Sequence, residues 1–442
     1  MSSKTPISPS GEAWCYVHAE LPHRSLPALV GKLVMDTDGK ATHFQYARSY
    51  LEDENAPAID PINAPKVKGA KYQWPITREH NGVPGALTDA GATDDFSKRA
   101  HLIMQHAIDP GRPPITDIDF LILGSSEGVG NLFFSQDREI KARPTLVQRP
   151  FGDTEDIMEV ALAIDAGEDI SPDKAMFFKE GSATGGARPK TQVRDGDKVY
   201  IAKFPRPSDP FNDTVAEFTS LQMARKAGID TADAKILSTV KGDVLLVQRF
   251  DIDAAGNRKQ VISSHSLTNI YSLREYSEET ISYPGIVRLA EQVKPNCNDN
   301  KTVSKKMYRR MIFNVCIGNT DDHMRNHSFL DGELSPCYDV NSHLRIGSHA
   351  ISISQLGSSV TEESLALCAR EMGLESEEAA EIISDVLVAT ENWAEDMRSN
   401  GMSDRDIEQL KHCYSQREKV ARYLDSLSRK DQERAKKIGL SR

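Results

Sequence analysis

Most strand-like patterns lie before about residue 252, together with a few helix-like ones, and helix-like patterns fill most of the remainder. Short apolar alternations in the first part lie between turns that carry Pro and Gly, and we interpret them as strands. Examples are GKLVMD (31–36), ATHFQYA (41–47) and DFLILG (119–124). Runs of strands followed by runs of helices predict the α+β class.

Helices and strands alternate in the middle of the chain, around a Gly-rich loop at 181–190. Helices are predicted near 95–107 and at 154–166 and 213–227, the last ending at Gly228 as helices often do. The predicted strands are GVGNLFFS (128–135), KVYIAKF (198–204), KILSTV (235–240) and VLLVQRF (244–250). Residues 53–65 form the clearest loop-like insertion.

Apolar residues recur at three- and four-residue spacing near the end of the chain, which predicts helices with charged outer faces over 361–370, 376–398 and 404–427. These textures divide the chain into three predicted segments. They are a β-rich N-terminal subdomain (1–142), a Gly-rich-loop subdomain that completes an N-terminal lobe (143–255) and a helical C-terminal lobe (256–442).

Composition excludes several classes of protein. The 54 basic and 65 acidic residues give a net charge of −11, so direct nucleic-acid binding would need a local basic patch. No apolar run approaches the roughly 18 residues of a membrane helix, and the N-terminus lacks the apolar core of a secretory signal. We therefore expect a cytoplasmic protein. The six cysteines form no CxxC pair, which favours reduced, mostly semi-buried thiols over zinc sites or disulfides.

The segment with the clearest chemistry is GNTDDHMRNHSFLDGELSPCYDV (318–340). Phosphoryl transfer needs a carboxylate that orients the acceptor hydroxyl and accepts its proton, and oxygen ligands that hold magnesium. Asp321 and Asn326 have the D-x-x-x-x-N spacing of a kinase catalytic loop, and Asp339 stands where a second metal ligand is expected. The spacing alone is a weak signal, because Asp and Asn are common in turns.

Two residues upstream suit a nucleotide site, and each has an ordinary alternative. Lys203, near the end of the strand KVYIAKF, could place an ammonium group on phosphates, or could be a strand lysine with its head in water. Glu217 lies where a kinase places the partner of that lysine. It equally completes a helix-capping box with Thr214.

The Gly-rich loop GSATGGARPK (181–190) suits a phosphate cradle, since glycine allows close approach of backbone N–H groups. It matches neither of the specific nucleotide motifs, so it could also be a flexible connection. VLLVQRFD (244–251) runs from a buried strand into a polar exit, as an adenine-contacting segment would.

Taken together and in order, these segments resemble the HipA family, the kinase toxins of bacterial HipBA-type toxin–antitoxin modules. The resemblance rests on GGARPK, YIAKFP, the helix ending ARKAGI, LLVQRFD, GNTDDHMRNHSF and SPCYDV. GKL, HFQYA, YL and GVGNLFF also resemble that family's N-terminal region, so most of the chain is covered. It implies a bilobal protein-kinase-like fold with a β-rich N-terminal region and an all-helical C-terminal lobe.

The resemblance implies a serine/threonine kinase that uses ATP and Mg²⁺. Asp321 then matches the catalytic aspartate, Asn326 and Asp339 the magnesium ligands, and Lys203 the ATP lysine. The remaining cofactor-binding positions are the phosphate-contacting residues Gly185, Gly186, Ala187, Arg188 and Lys190, the hinge residues Gln248, Arg249 and Phe250, and the loop histidine His323.

Family members pair with a small helix-turn-helix antitoxin, HipB, that binds operator DNA, so DNA contact is expected only through such a partner. Relatives with known targets phosphorylate aminoacyl-tRNA synthetases. In the best-known relatives a serine just ahead of the Gly-rich loop is autophosphorylated. Ala183 occupies or adjoins that register here, which leaves Ser182 or Thr184 as candidates.

Other interpretations stay open at this stage. His323 and His327, four residues apart and beside Asp321 and Asp322, could share a helical face in a metal-dependent phosphohydrolase, although His323 more simply supports the loop by hydrogen bonds. A basic run precedes the loop and could be a solvated face or a docking surface; it comprises Lys301, Lys305, Lys306, Arg309 and Arg310. A third possibility is a catalytically silent co-repressor that holds an antitoxin on DNA.

Overall fold

The computed structural model describes residues 13–36, 38–77, 81–91, 95–109, 116–125, 127–147, 149–179, 187–270, 276–294, 300–345 and 347–437. The chain divides into two compact units. The first comprises Met1–Arg206, Leu237–Glu275 and Ser328–Gly332, and the second comprises Pro207–Ile236, Tyr276–His327 and Glu333–Arg442. The division into three segments at 142 and 255 stays a prediction.

The first unit begins with a five-stranded antiparallel sheet in the order β4-β3-β2-β1-β5. Its strands are β1 (Trp14–Ala19), β2 (Ala28–Met35), β3 (Ala41–Tyr46), β4 (Tyr72–Pro75) and β5 (Leu132–Ser135). Three short helices add side chains to its core: α1 (Arg48–Leu51), α2 (Gly85–Ala90) and α4 (Asp117–Leu123). Residues 53–65 form turns, as expected for an insertion.

The segment DFLILG (119–124) was predicted to be a strand, and that prediction is wrong. The segment lies in α4, because Thr116 and Asp119 form a capping box that starts a helix. The Thr116 hydroxyl accepts a hydrogen bond from the Asp119 N–H, and the Asp119 carboxylate accepts one from the Thr116 N–H. The cap satisfies N–H groups that a strand would have left for a neighbouring strand.

A second sheet in the same unit has the order β6-β7-β9-β8. Its strands are β6 (Lys190–Asp195), β7 (Lys198–Lys203), β8 (Ala234–Thr239, whose first residues are counted with the second unit) and β9 (Gly242–Gln248). Its core is shared with helices α3 (Asp95–Ile108), α5 (Thr154–Ala166) and α6 (Pro172–Lys179). The same unit contains helix α8 (Ser264–Thr268) and the antiparallel strands β10 (Val261–Ser263) and β11 (Ser328–Leu330).

The second unit is mainly helical, as predicted, and its one complete strand is the two-residue β12 (Glu333–Leu334) among the residues that the structure describes. Its helices are α7 (Asp213–Lys226), α9 (Tyr283–Val293), α10 (Asn300–Ile317), α11 (Glu362–Glu371), α12 (Ser376–Ala389), α13 (Trp393–Ser399), α14 (Asp404–Leu410) and α15 (Arg417–Lys437). Helix α10 is buried along almost all of its last three turns, so it forms the centre of this unit.

Two long predicted helices are each divided in the structure. The prediction over 376–398 is interrupted after Ala389, where Arg417 donates to the Leu387 carbonyl (2.7 Å) and to the Thr390 hydroxyl (3.2 Å). These contacts satisfy groups at a helix end, so the break costs little. A 3-10 turn at Cys413–Gln416 similarly divides 404–427.

No helix in the described ranges has the length and apolarity needed to cross a membrane. Five cysteines are free and fully buried, deeper than the semi-buried thiols that were expected: Cys15, Cys316, Cys337, Cys368 and Cys413. Cys297 lies outside the described residues.

Candidate active site

The 318–327 loop begins where the buried helix α10 ends. Gly318 has a φ of +67°, and a Cβ at this position would lie 2.5 Å from the carbonyl oxygen of Cys413. Both the left-handed backbone and the close contact therefore require glycine. The Asn319 N–H donates to the Asn314 carbonyl at 2.9 Å, which closes the helix end. The loop thus starts from a fixed point in the core of the second unit.

Asp321 and Asp322 are adjacent but occupy opposite environments. The Asp321 side chain is 66% exposed, and the imidazole of His343 lies 3.9 Å from its carboxylate. The Asp322 side chain is 3% exposed. Its Oδ2 accepts hydrogen bonds from the Tyr283 hydroxyl (2.7 Å), the Asn314 amide (2.7 Å) and the His327 Nε2 (2.8 Å). Asp321 is therefore available for chemistry, and Asp322 is held in the structure.

The environment of Asp322 favours its ionised form. Burial raises the pKa of this carboxyl, but the charge and hydrogen bond of His327 outweigh burial, together with the Tyr283 hydroxyl and the charge of His323. The pKa of Asp322 consequently lies below its ordinary value. The pKa of Tyr283 shifts in the opposite direction, because burial and the neighbouring Asp322 carboxylate both raise it. Asp322 is thus a buried anion with three donors on one oxygen.

Asn326 and Asp339 lie on two segments that are joined by a hydrogen bond. Asn326 is buried at the end of a 3-10 turn, with its N–H donating to the His323 carbonyl at 2.9 Å. Asp339 is exposed and has a φ of +57°, a conformation that costs free energy in residues other than glycine and recurs at functional sites. The Tyr338 hydroxyl donates to the Arg325 carbonyl at 2.8 Å. The neighbours of the two candidate ligands are thereby in contact.

The donor set fits a magnesium ion by its chemistry. Mg²⁺ prefers hard oxygen ligands and usually takes only one or two carboxylates from the protein. An amide oxygen from Asn326 and a carboxylate from Asp339 meet that preference. No group of three or more His, Cys, Asp and Glu side chains in the described ranges is arranged to hold a metal ion.

Three residues that follow the loop in sequence, His343, Arg345 and Ala350, support its start. The His343 N–H donates to the Gly318 carbonyl (3.0 Å), the Thr320 hydroxyl to the Arg345 carbonyl (2.8 Å), and the Ala350 N–H to the Thr320 carbonyl (2.9 Å). His349 is buried within this segment, and burial lowers its pKa to about 4. Sequence reasoning did not identify His349, Tyr283 or Asn314. Only Asn314 gave a signal, as a polar residue inside the apolar run MIFNVCI.

Lys203 and the described end of the Gly-rich loop lie in the first unit. Lys203 is half-buried on the inner strand β7, opposite Lys190 of β6. Arg206 forms a two-bond contact with the Asp165 carboxylate (2.7 and 2.8 Å) and also donates to the Ala187 carbonyl at 2.7 Å. Arg206, which sequence reasoning did not identify, therefore fixes the end of the Gly-rich loop just before β6. Ser182, Ala183, Thr184, Gly185 and Gly186 lie outside the described residues, and Arg188 is half-buried.

The hinge residues differ sharply from one another. Gln248 and Phe250 are half-buried, whereas Arg249 is buried and committed to the protein interior. Its guanidinium donates to Asp251 (3.0 and 2.6 Å), to Gln192 (2.8 Å) and to the carbonyls of Glu127 and Gly128 (3.0 and 2.8 Å). The position of Arg249 therefore points to a structural role rather than a nucleotide contact by its side chain.

Two other expectations need correction. Asn212, not Thr214, caps helix α7, and it accepts from the Val215 N–H at 3.1 Å; the capping box with Glu217 is wrong because the helix starts earlier. Glu217 is buried instead. His323 and His327 do not share a helical face either, since the 3-10 turn Met324–Asn326 separates them.

The basic run before the loop is mostly paired within the second unit. Lys301 and Lys305 contact Glu378 at 2.8 and 3.0 Å, and Arg309 contacts Asp385 at 2.7 Å. Arg310 is buried and donates to the Ser335 carbonyl, while Lys306 is exposed. The run is therefore a solvated ion-pair face between helices α10 and α12, with the side chains of Lys301 and Lys305 56% and 43% exposed.

Comparison with known proteins bears on the fold. Residues 182–394 match the model of the HipA-like C-terminal domain family. A solved structure from Shewanella oneidensis MR-1, the toxin–antitoxin system HipA, HipB and its operator DNA complex, is similar with a TM-score of 0.65 and 16% identity. The match covers 93% of this chain and 99% of that one.

The proinflammatory kinase CtkA of Helicobacter pylori matches with a TM-score of 0.42 and 12% identity, over 55% of this chain and 93% of that one. Comparison with curated protein sequences gives no match. The match to the family model and the likeness to the Shewanella structure confirm the resemblance seen in the sequence and the predicted fold class. The chain carries a HipA-like C-terminal domain over residues 182–394, and it has the HipA fold over most of its length.

Proposed function

We propose that this protein is an ATP- and Mg²⁺-dependent serine/threonine kinase and acts as the toxin of a HipBA-like toxin–antitoxin pair. The proposal rests on the different environments of two adjacent carboxylates, Asp321 and Asp322. Asp321 is exposed at the surface of a loop, and Asp322 anchors that loop in the core. A general base needs this combination of access and fixed position.

The roles follow from the chemistry of each side chain. Asp321 orients the serine or threonine hydroxyl of the substrate and accepts its proton. Asn326 and Asp339 would hold Mg²⁺, which when bound neutralises charge on the phosphates. Lys203 would contact the phosphates as a point charge. His323 supports the loop through its carbonyl, which accepts from the Asn326 N–H.

The remaining nucleotide contacts are proposed for two segments of the first unit. Residues 185–190 would cover the phosphates with backbone N–H groups, and Arg188 and Lys190 add positive charge. The hinge (Gln248–Phe250) would bind adenine through its backbone, because the side chain of Arg249 is already used within the protein. Autophosphorylation is proposed at Ser182 or Thr184.

The partners are proposed from the relative of the same fold. The Shewanella protein is in complex with HipB and operator DNA, and we propose a HipB-like helix-turn-helix antitoxin for this chain, through which it reaches DNA. The net charge of −11 agrees with indirect contact. The proposed target is a translation component such as an aminoacyl-tRNA synthetase, which phosphoproteomics after expression would identify.

Labelled ATP tests the central claim. With Mg²⁺ and a cell extract, the wild-type protein should transfer labelled phosphate to itself or to a target. Asp321→Ala should lower the transfer rate by about 10³-fold, because removal of a general base typically costs 10²- to 10⁴-fold. Asp425→Ala, at an exposed position of α15, is the matched control and should transfer normally. Circular dichroism checks that each variant folds.

Other results of the labelled-ATP experiment would contradict the proposal or indicate a different function. Transfer retained in Asp321→Ala would refute the catalytic assignment. A wild-type protein that binds an antitoxin but transfers no label would be a silent co-repressor, and release of phosphate without transfer would indicate a metal-dependent phosphohydrolase. Lys203→Ala should raise the KM for ATP about tenfold, through loss of a charge-assisted phosphate contact; unchanged nucleotide affinity would contradict its role.

A further inference from the structure

The buried contact between Asp322 and His327 closes a ring in the 318–327 loop. The two residues are five positions apart, the Asp322 Oδ2 and the His327 Nε2 are 2.8 Å apart, and both side chains are almost completely buried. The ring encloses the 3-10 turn Met324–Asn326. Closing so short a ring removes most of the conformational freedom of the residues inside it.

The ring is anchored to two helices of the second unit. Tyr283 at the start of α9 and Asn314 of α10 both donate to the same Oδ2 of Asp322, at 2.7 Å each. Asn319 donates to the side-chain oxygen of Asn314 at 3.1 Å, so the start of the loop shares the anchor. The Tyr283 and His327 rings also meet edge to face, with centroids 5.9 Å apart. Movement of the loop would break several contacts at once.

The functional residues stand directly beside the members of the ring. Asp321 precedes Asp322, and Asn326 precedes His327, so each functional Cα lies about 3.8 Å from the Cα of a clamped residue. A shift at either end of the ring is therefore passed to a functional residue with almost no chain between them. Catalytic groups must be held within roughly 0.5 Å of the productive geometry to be effective.

We propose that the Asp322–His327 pair is a clamp that positions Asp321 and Asn326 relative to each other for phosphoryl transfer. The proposal rests on the kinase function proposed above. Asp322 and His327 are positioning residues, since the Asp322 Oδ2 and the His327 Nε2 are bonded to groups of the protein. A buried ion pair is a poor source of stability compared with apolar residues of the same volume, but its directional contacts favour one geometry.

Three variants test the clamp, with turnover and hydrogen–deuterium exchange as readouts. Asp322→Asn removes the charge without changing the shape, and should lower kcat about 10- to 100-fold, the usual effect of losing a contact that orients a functional residue. The KM for ATP should stay within about threefold, because ground-state nucleotide binding is not changed. Exchange of amides in 318–327 should become at least about tenfold faster.

His327→Gln keeps a donor near the position of the imidazole Nε2, and His327→Ala does not. The first should recover much of the turnover that the second loses. Asp119→Asn is the matched control, since Asp119 is another buried carboxylate but caps helix α4 in the first unit. It should lower the melting temperature and leave kcat and exchange of 318–327 unchanged.

Wild-type kcat and exchange in Asp322→Asn would overturn the clamp. A fall in kcat without faster exchange in 318–327 would overturn it too, because the residue would then act by another route than position. Equal losses of kcat in Asp119→Asn and Asp322→Asn would indicate general destabilisation and would also refute it. If the wild-type protein transfers no phosphate, the proposed function fails, and exchange alone decides the clamp.

Discussion

Two buried ion pairs lie beside the proposed functional residues, one in each unit. Arg249–Asp251 adjoins the hinge in the first unit, and Asp322–His327 lies in the 318–327 loop of the second. The contacting nitrogen and oxygen atoms are 2.6 and 2.8 Å apart, and none of the four side chains is more than 3% exposed. Burial and distance are thus nearly the same in both pairs.

The pairs differ in what they join. Arg249, directly after strand β9, also donates to the carbonyls of Glu127 and Gly128, more than a hundred residues away in sequence. Asp322 and His327 are five residues apart, and the Asp322 carboxylate also accepts hydrogen bonds from Tyr283 and Asn314 on two helices of the same unit. The hinge is therefore fixed to a segment that is distant in sequence, whereas the loop is closed by a short ring that two helices anchor.

The first prediction concerns the Arg249–Asp251 pair. Arg249→Met should lower the free energy of unfolding by roughly 3–5 kcal/mol, because Asp251 would remain buried without its main counter-charge. The pKa of Asp251 is raised by burial and is brought below its ordinary value chiefly by the charge and hydrogen bonds of Arg249. Urea denaturation of the two proteins at pH 7.5 measures the difference.

Arg194→Met is the matched control, since Arg194 lies on β6 of the same sheet and its guanidinium donates to the nearby Gly196 carbonyl in an exposed contact. Its loss should be below about 1 kcal/mol. If Arg249→Met costs no more than this control, the contacts of Arg249 add little and the contrast between the two regions disappears.

Sequence reasoning succeeded where a local pattern decides the structure. Helix α5 was predicted with its observed bounds, and the strands around Lys203 and Gln248 were predicted within two residues, because periodicity and Gly or Pro boundaries are local signals. The strand prediction for DFLILG (119–124) was wrong because a local pattern misled. Its alternation resembles a strand, and the cap at Thr116 that decides for a helix lies outside the segment.

The candidate site was predictable in its exposed residues but not in its supports. The D-x-x-x-x-N spacing identified Asp321 and Asn326, but no sequence pattern indicates that Asp322 is buried or that Tyr283, about forty residues away, donates to it. Arg249 shows the same limit. The segment LLVQRFD suggested a nucleotide contact, but three of the five hydrogen bonds of its guanidinium go to distant segments that no local pattern indicates.

The second prediction uses pH to separate the two regions. Burial lowers the pKa of His349 to about 4, and the charge of Lys419 lowers it further while the Asp322 carboxylate opposes this. The folded protein therefore binds this proton less readily than the unfolded chain, and stability is lost as pH falls from about 6.5 to 4. The loss approaches about 1.4 kcal/mol per pH unit, or roughly 3 kcal/mol in total.

Urea denaturation between pH 7.5 and 4.5 checks this, with His349→Gln compared to the wild-type protein. The variant should lose less stability across the window, and His412→Gln, at an exposed position, should follow the wild type. Hydrogen–deuterium exchange at pH 5 should rise in 318–327 and 347–360 before it rises in 248–251. Parallel pH curves for His349→Gln and the wild type would contradict the role of His349.

The third prediction compares the glycines that accompany the two pairs. Gly130 (φ +82°) donates its N–H to Asp251 at 2.7 Å, and a Cβ there would lie 3.1 Å from the Val261 nitrogen. At Gly318 the Cβ would lie 2.5 Å from a carbonyl oxygen, a backbone atom that has little freedom to move.

Gly373 provides the control, because it has nearly the same φ as Gly318, +68°, with open space around it. Gly373→Ala therefore measures backbone strain alone, about 1 kcal/mol. Gly318→Ala should cost about 1–3 kcal/mol more than that control, as overpacking does, and more than Gly130→Ala. Urea denaturation ranks the three variants; a Gly130→Ala loss larger than that of Gly318→Ala would mean that the hinge region, not the loop, has the tighter backbone packing.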